Sequence, residues 1–320
     1  MNSWRPGLLL LALIALLAGC AGQQQLVHEE TRLVALAGPP PAPAPWPAFL
    51  LPGWQQPHNR IGQVRARPLR GGRERIYVDG ARPLIYHATM PFATARGRYV
   101  NQVYRVHFPA IPFSLVPFHL SAGRNVGLLV VITFDEQQLP LLVTTVNGCG
   151  CYVAIIPTNF LPAAAYPPDW PALSQEVYGE TLPARLTFGP GHGRLLVTVR
   201  PETHRVQALA GTTAADLASF FLVAARLQPL ASLTRLPLGP AGETSFYYQS
   251  WPLRGHVKGG VKIWESLLLG LISLDGLVGM DKEYGGSGAN PFYTSLKPWN
   301  RHASDMNDFP RFLIFHGWRL

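Results

Sequence analysis

Glycine and proline together make up about a fifth of this chain, with 31 of each among 320 residues. Glycine favours turns and proline interrupts helices, so this content argues against a helical bundle and for many turns and loops. The content still lies below the level that is typical of wholesale disorder. The chain is also long enough to bury a sizeable core as one large domain or two small ones.

Apolar runs between residues 76 and 210 predict β structure. The alternating apolar positions of 98–108 predict a strand, and Pro109 and Pro112 are expected to exclude a central strand beyond it. Short runs rich in β-branched residues predict five further strands, over 127–134, 139–146, 152–156, 195–199 and 206–209. The first two and the last two of these are expected to form antiparallel hairpins, the first of them in the centre of a sheet.

Helices are predicted in the last third of the chain. Thr213 and Asp216 form a capping box ahead of apolar positions at helical spacing over 217–227. Residues 261–280 predict a buried helix under the sheet, with an interfacial membrane helix as the alternative, because the flanking acids make a membrane span costly. A short helix over 305–315 is expected to close the domain. The expected fold class is α+β, an antiparallel β-sheet core with two or three helices in the C-terminal half.

The N-terminal segment has the layout of a secretory signal peptide. Arg5 precedes an apolar run over residues 8–17. That run is shorter than the roughly 20 apolar residues that a membrane span needs. We therefore expect a cleaved leader rather than a membrane anchor.

Residues 17–20, Leu-Ala-Gly-Cys, resemble the lipobox of bacterial lipoproteins. The resemblance implies that Cys20 is lipidated on sulfur, that residues 1–19 are removed and that the new amino terminus is acylated. Ala21 after the cysteine is similar to the outer-membrane sorting pattern of enterobacterial lipoproteins. The implied location is the bacterial cell envelope, with the protein held by acyl chains in the outer membrane and facing the periplasm.

Residues 38–47 are rich in proline and predict an extended polyproline II spacer, which would hold a domain away from a membrane. We therefore divide the chain into a signal peptide (1–19), a lipidated N-terminus with a Pro-rich tether (20–60) and a single β-rich α+β domain (61–320).

The chain carries 27 basic and 18 acidic residues and a net charge of +9. The basic residues concentrate just after the tether, at Arg65, Arg67, Arg70, Arg73 and Arg75. A basic segment near a membrane attracts anionic headgroups, whereas a solvated loop is the simpler interpretation. Nucleic acid is the usual partner of such a basic protein, but an envelope location excludes it. The expected partners are membrane lipid through Cys20, and another envelope protein or anionic lipid.

Residues 147–152, Asn-Gly-Cys-Gly-Cys-Tyr, hold the only cysteines besides Cys20. Three interpretations of Cys149 and Cys151 stay open. A disulfide is favoured by an oxidising envelope but needs a tight turn, because sulfurs at i and i+2 of a strand are too far apart. Two thiolates with a histidine would suit Zn²⁺ or Cu⁺. Two buried, inert thiols are the third interpretation.

Three histidines upstream of this loop are candidates to complete a metal site: His87, His107 and His119. A histidine beside aromatic residues is more commonly a structural group than a ligand, and no ligand spacing such as a second Cys-x-x-Cys is present.

Two other motifs do not match their consensus patterns. Residues 285–289 lack the strand and the glycine spacing of a hydrolase nucleophile elbow, and the acids at 275–283 do not fit a calcium loop.

Two functions of different class follow. The first is an envelope lipoprotein without catalytic activity, whose membrane-tethered periplasmic domain has a binding or structural role; the absence of a catalytic signature favours it. The second is a thiol- or metal-dependent envelope protein centred on Cys149 and Cys151. A histidine nitrogen within reach of both sulfurs would favour the second, and purely apolar surroundings would contradict it.

Overall fold

The computed structural model describes residues 30–38, 43–189, 193–286 and 290–320. The signal peptide, Cys20 and residues 39–42 of the Pro-rich segment lie outside the described residues, as do residues 287–289 of the glycine-rich motif.

The described chain is mainly β structure. Its strands are Arg32–Leu36 (β1), Trp46–Leu51 (β2), Gln63–Pro68 (β3), Glu74–Asp79 (β4), Leu84–Thr94 (β5), Gly97–Ile111 (β6), Gly123–Phe134 (β7), Pro140–Asn147 (β8), Ala154–Pro157 (β9), Ser174–Val177 (β10), Glu180–Pro183 (β11), Arg194–Val199 (β12), Val206–Thr212 (β13), Leu222–Pro229 (β14), Leu236–Pro237 (β15) and Glu243–Thr244 (β16). Two α-helices accompany them in the described ranges, Ile263–Ser273 (α1) and Phe309–Phe315 (α2).

Ten strands form one sheet in the order β13-β12-β2-β1-β14-β5-β6-β7-β8-β9. The expectation of an antiparallel sheet is wrong, because the sheet is mixed. β14 lies between β1 and β5 and runs parallel to both, and β12 runs parallel to β2. The parallel pairs arise because the chain crosses the sheet twice, between β9 and β12 and again between β13 and β14, instead of adding each strand beside the previous one.

The strands from β5 to β9 follow each other in antiparallel pairs. The predicted hairpin of 127–134 and 139–146 is confirmed as β7 and β8, and the predicted hairpin near 195–209 as β12 and β13. Pro109 lies inside β6, but in a part of the strand that pairs with β7 alone, so the expectation that no central strand occurs there is met. It is tolerated there because β6 pairs with β5 only up to Arg105, so beyond that residue the Pro109 side of the strand is an edge.

Strands β1 and β2 come from the segment that the sequence assigned to the tether, so the sheet includes residues that precede position 61. Leu33, Val34, Ala48 and Phe49 are buried there. The folded domain therefore begins by Arg32, within the segment that the sequence assigned to the tether.

The predicted helix over 217–227 is wrong. Thr213 and Asp216 do make the capping-box bonds, with the Thr213 amide donating to Asp216 Oδ2 at 2.9 Å. The chain then passes through turns and enters β14, because the first half of Leu222–Pro229 pairs with β1 and the second half pairs with β5.

The prediction that the helix over 261–280 is buried under the sheet is also wrong. Helix α1 covers only Ile263–Ser273, and most of its apolar side chains are exposed, Leu267 and Leu271 among them. Only Glu265 and Ser273 of this helix are buried. The predicted closing helix is confirmed as α2, where Phe309, Phe312 and Leu313 are buried.

The sheet buries apolar side chains on both faces. On one face, side chains of β1, β2 and β12 pack with those of β6 and β7, because the sheet curls over itself. On the other face, Tyr86, Val103 and Leu129 pack against the C-terminal segment, including Phe246, Phe292 and Trp318. The β8–β9 turn and the segment around residue 281 meet where the C-terminal segment covers the sheet.

Candidate functional site

A tight turn between β8 and β9 holds the two cysteines. The Gly150 amide donates to Asn147 O at 2.8 Å, and the Asn147 amide donates to Cys151 O at 2.9 Å. Gly150 has a φ of +88°, which favours glycine. The turn places both side chains on one side of the loop, so the two sulfurs are neighbours.

Glycine in this turn also allows the C-terminal segment to approach. A Cβ at Gly148 would overlap the Asp281 carboxylate, and one at Gly150 would overlap the Tyr293 carbonyl oxygen. The Lys282 amide donates to Gly148 O at 2.8 Å, and the Lys282 ammonium donates to Cys149 O at 2.6 Å. The cysteine loop is therefore fixed by direct contact with Asp281, Lys282 and Tyr293.

Three possible metal ligands converge here. The sulfurs of Cys149 and Cys151 and a carboxylate oxygen of Glu265 all lie within 4.8 Å of one another. Cys149 and Glu265 are buried, and Cys151 is partly exposed. The two cysteines are free thiols rather than a disulfide. We call these three residues the dithiol–carboxylate site.

Glu265 enters the site from the first turn of α1. Its Oε1 accepts a hydrogen bond from the Ser121 hydroxyl, which lies 3.1 Å from the Tyr152 hydroxyl. Its Oε2 is buried and has no hydrogen-bond partner among the described residues, although the Lys262 ammonium lies 4.0 Å away. A buried carboxylate oxygen without a hydrogen bond is costly, so Oε2 has unused capacity to bind a cation or donor.

Buried charges surround the site. The Lys262 ammonium donates to Asp281 Oδ1 at 2.8 Å, and Asp281 Oδ2 accepts from the Gly127 amide at 2.6 Å. The Lys282 ammonium lies 4.0 Å from the centre of the Tyr293 ring. The two lysines, Lys262 and Lys282, thus accompany two acids, Glu265 and Asp281, so basic and acidic side chains are equal in number in this group.

The two thiols have unequal acidity. Burial raises the pKa of the Cys149 thiol, but the hydrogen bond from Cys151 and the Lys262 ammonium outweigh this effect and lower the pKa overall. The pKa of Cys151 is raised well above its usual value, because the thiol donates a hydrogen bond to Cys149 and because the protein shields the sulfur from water although the residue as a whole is partly exposed. The pair therefore loses its first proton at Cys149.

An apolar cavity of about 410 Å³ opens beside the sulfurs. It is lined by apolar side chains from four parts of the chain: Leu120, Tyr178, Leu269, Val278 and Leu296. Arg205 also lines it and lies over the Tyr152 ring, 5.4 Å from its centre. The cavity is large enough for a small ligand and brings it directly to the cysteines.

The three candidate histidines lie elsewhere. His87 Nε2 is 2.7 Å from Gln102 Oε1, and His119 Nδ1 is 3.0 Å from Pro112 O. His107 accepts a hydrogen bond from Arg105 Nε at 3.0 Å, and burial followed by the Arg105 charge lowers its pKa well below the usual value. None of the three belongs to the group of metal-ligand atoms found among the described residues.

The five arginines lie on the β3–β4 hairpin. Arg65 pairs with Asp79 at 3.2 Å, and Arg67 lies over the Tyr77 ring. Arg67, Arg70, Arg73 and Arg75 are exposed. The hairpin is thus a basic surface outside the dithiol–carboxylate site.

Sequence reasoning missed Glu265, Lys262 and Lys282 as site residues. A signal for the first two was present, because charged residues interrupt an apolar stretch and such charges are seldom buried without partners. The partners themselves lie far away in sequence, so the sequence alone does not identify them.

Comparison with protein-family models, with curated proteins and with solved structures finds no match to this chain. Within the described residues, no helix has both the length and the apolar character needed to span a bilayer.

Proposed function

We propose that this chain is a lipid-anchored protein of the bacterial cell envelope, whose folded domain binds a metal ion at Cys149, Cys151 and Glu265 and a ligand in the adjoining cavity. The observation that carries the metal site is the convergence of the two sulfurs and a Glu265 carboxylate oxygen within 4.8 Å of one another. The Glu265 carboxylate also has spare binding capacity, because its Oε2 has no hydrogen-bond partner among the described residues. This proposal combines the two functions that the sequence left open, namely a membrane-tethered binding domain and a metal-dependent envelope protein.

The donor set favours Zn²⁺ over Cu⁺. Thiolates bind both ions, but a carboxylate oxygen is a common zinc ligand and a poor ligand for Cu⁺. Tetrahedral zinc would need its two sulfurs about 3.8 Å apart, given Zn–S bonds of about 2.3 Å. This separation lies within the observed limit of 4.8 Å.

The charge balance also suits a divalent ion. When Zn²⁺ binds, the thiols of Cys149 and Cys151 release two protons to solvent. The two positive charges of the zinc ion thus take the place of the two protons. Metal binding therefore leaves the net charge of the site and its buried neighbours Lys262 and Asp281 unchanged. Three protein ligands leave a fourth position for a water molecule or for a ligand atom, as in zinc sites that act on substrates.

Because the cavity is lined mainly by apolar side chains, the ligand class that fits is a molecule with an apolar body and one metal-binding polar group.

Elemental analysis tests the metal site. Full-length protein purified without an affinity tag or added metal is expected to hold about one zinc per chain. Glu265→Gln and Cys151→Ser are expected to weaken zinc binding at least about tenfold in competition with a chromophoric chelator. Glu283→Gln, which changes a half-buried carboxylate outside the site, is the matched control. Equal zinc affinity in all variants, or a disulfide in the purified protein, would overturn the metal site.

A separate experiment tests the anchor. Cells that express the wild-type chain are expected to incorporate a clickable palmitate analogue into it, and a Cys20→Ala variant should lose this label. Palmitate-free protein with residues 1–19 still attached would overturn the envelope assignment.

A further inference from the structure

The surface around α1 combines exposed apolar side chains with neighbouring basic ones. In α1, Ile263, Leu267 and Leu271 are 68%, 60% and 84% exposed, and none of the exposed residues from 263 to 274 is charged. Burial of such side chains against water is favourable, and monomeric proteins rarely leave a continuous patch of them uncovered.

The loop before β7 extends this apolar surface. Phe113 stacks on Trp264 of α1 with ring centres 6.2 Å apart, and Phe118 packs against the same indole at 5.7 Å. Phe113, Leu115 and Val116 are 63%, 64% and 92% exposed. We call the exposed side chains of α1 and of residues 113–116 the apolar platform.

Interfacial side chains lie at the C-terminal end of α1. Arg301 Nη2 donates to Ser273 Oγ at 2.9 Å, which fixes residues 297–301 beside the end of the helix. Lys297 and Trp299 of this segment are exposed. Tryptophan and lysine next to an apolar surface are typical of groups that lie at the boundary between headgroups and acyl chains.

The basic hairpin lies on the other side of the start of β7. Its residues Leu69 and Arg75 line a shallow cavity together with Arg124 of β7. Lys262, directly before α1, lies against Gly123, the residue before Arg124. A Cβ added at Gly123 would be 2.9 Å from Lys262 Cγ. The apolar platform and the exposed arginines are therefore neighbours.

The strand register places the start of β1 at this same end of the sheet. One row of paired residues crosses β14, β5, β6 and β7, namely Gln228, Tyr86, Arg105 and Leu129. Leu222, which pairs with Leu33 of β1, lies six residues before this row in β14, and Gly123 lies six residues before it in β7. Both therefore lie at the same end of the sheet. Ten residues separate Cys20 from Glu30, a reach of at most about 36 Å. An acyl chain on Cys20 would therefore keep the platform close to the membrane.

We propose that the apolar platform docks on an anionic bilayer surface, with the exposed arginines of the β3–β4 hairpin against the headgroups. This inference rests on the proposed lipid anchor for its choice of occupant. Leu269 of α1 lines the cavity beside the cysteines. Docking therefore places α1 between the bilayer and the cavity, so that an amphiphilic ligand in the membrane is close to the metal site.

Tryptophan quenching tests the docking. Full-length protein is reconstituted into vesicles of phosphatidylethanolamine and phosphatidylglycerol, with and without brominated acyl chains. Brominated lipid is expected to quench wild-type emission, and Leu267→Asp with Leu271→Asp should remove about half of that quenching or more. Leu173→Asp, the same change at an exposed leucine near Trp170, should leave it unchanged. Trp264→Phe should reduce the quenching, whereas Trp170→Phe should not.

Unchanged quenching in the folded double variant would overturn the docking. Wild-type self-association in detergent that the double variant loses would also overturn it, in favour of a second copy of this chain on the platform. Mass spectrometry of the N-terminal peptide tests the anchor independently. A bare Cys20 in protein that is still quenched would refute the anchor and leave the docking intact.

Discussion

His316 is a single residue whose surroundings make folding sensitive to pH. Its ring packs against Phe312 and Phe315, with ring centres 4.7 and 5.0 Å away, and burial lowers its pKa to about 4. The unfolded chain keeps a histidine pKa near about 6.5. Between these two values the unfolded state binds more protons, so stability is complete above pH 6.5 and falls as the pH drops toward 4.

We expect this residue to account for about 2 kcal/mol of lost stability across that range, a value reduced from the full shift because the ring is partly exposed. Urea unfolding of the wild type and of His316→Phe at several pH values measures it. The variant should lose less stability on acidification, whereas His302→Phe, at an exposed histidine, should behave as the wild type. Equal pH dependence in all three proteins would contradict the assignment.

The cysteines and Glu265 show what could be predicted at this scale. Cys149 and Cys151 are two residues apart, so their proximity needs only a turn, which the flanking glycines permit. Glu265 approaches them through α1, and its neighbour Ser121 lies on another loop. Contacts of this kind depend on the whole path of the chain, so the sequence indicated a cysteine site but suggested histidine where the structure has a carboxylate.

Secondary structure elements were predictable where local pattern and tertiary pairing agree. The β7–β8 hairpin is continuous in apolar, β-branched residues and pairs with its neighbour in sequence. The segment 217–227 has helical spacing and a working capping box, yet its second half becomes β14. Parallel pairing between distant strands overrides local propensity there, and it cannot be inferred from one segment.

Helix α1 offers a paired prediction at the scale of the element. Gly270 lies inside the helix, and the nearest atom to an added Cβ would be Asp275 O at 3.4 Å, an ordinary contact. Gly270→Ala should therefore raise the free energy of unfolding by up to about 1 kcal/mol.

The same change at Gly279 should have the opposite effect. Gly279 has a φ of +84°, and a Cβ there would overlap the Glu265 carboxylate. We expect Gly279→Ala to lower the free energy of unfolding by about 1 kcal/mol or more and to weaken metal binding. Urea unfolding and the chelator competition measure both effects, and a stabilised Gly279→Ala variant would contradict this account of the site.

At the scale of the whole molecule, the two apolar clusters share the strands between them. Phe49 lies in the cluster enclosed by the curled sheet, and Phe312 lies in the cluster beneath the C-terminal segment. Alternate residues of β6 and β7 contribute to each cluster; Val103 faces one and Val106 the other. Loss of one cluster therefore exposes the back of the sheet that supports the other.

We expect the described domain to unfold in one transition. Phe49→Ala and Phe312→Ala should each lower its stability by about 3–4 kcal/mol and shift the same transition, because each removes a fully buried ring. Ile314→Ala, at an exposed position of α2, should change stability by no more than about 0.5 kcal/mol. Urea unfolding followed by far-UV circular dichroism and by tryptophan fluorescence measures this, with coincident curves expected. Separate midpoints for the two probes, or a Phe312→Ala variant that shifts only one of them, would show that the C-terminal segment folds independently of the sheet.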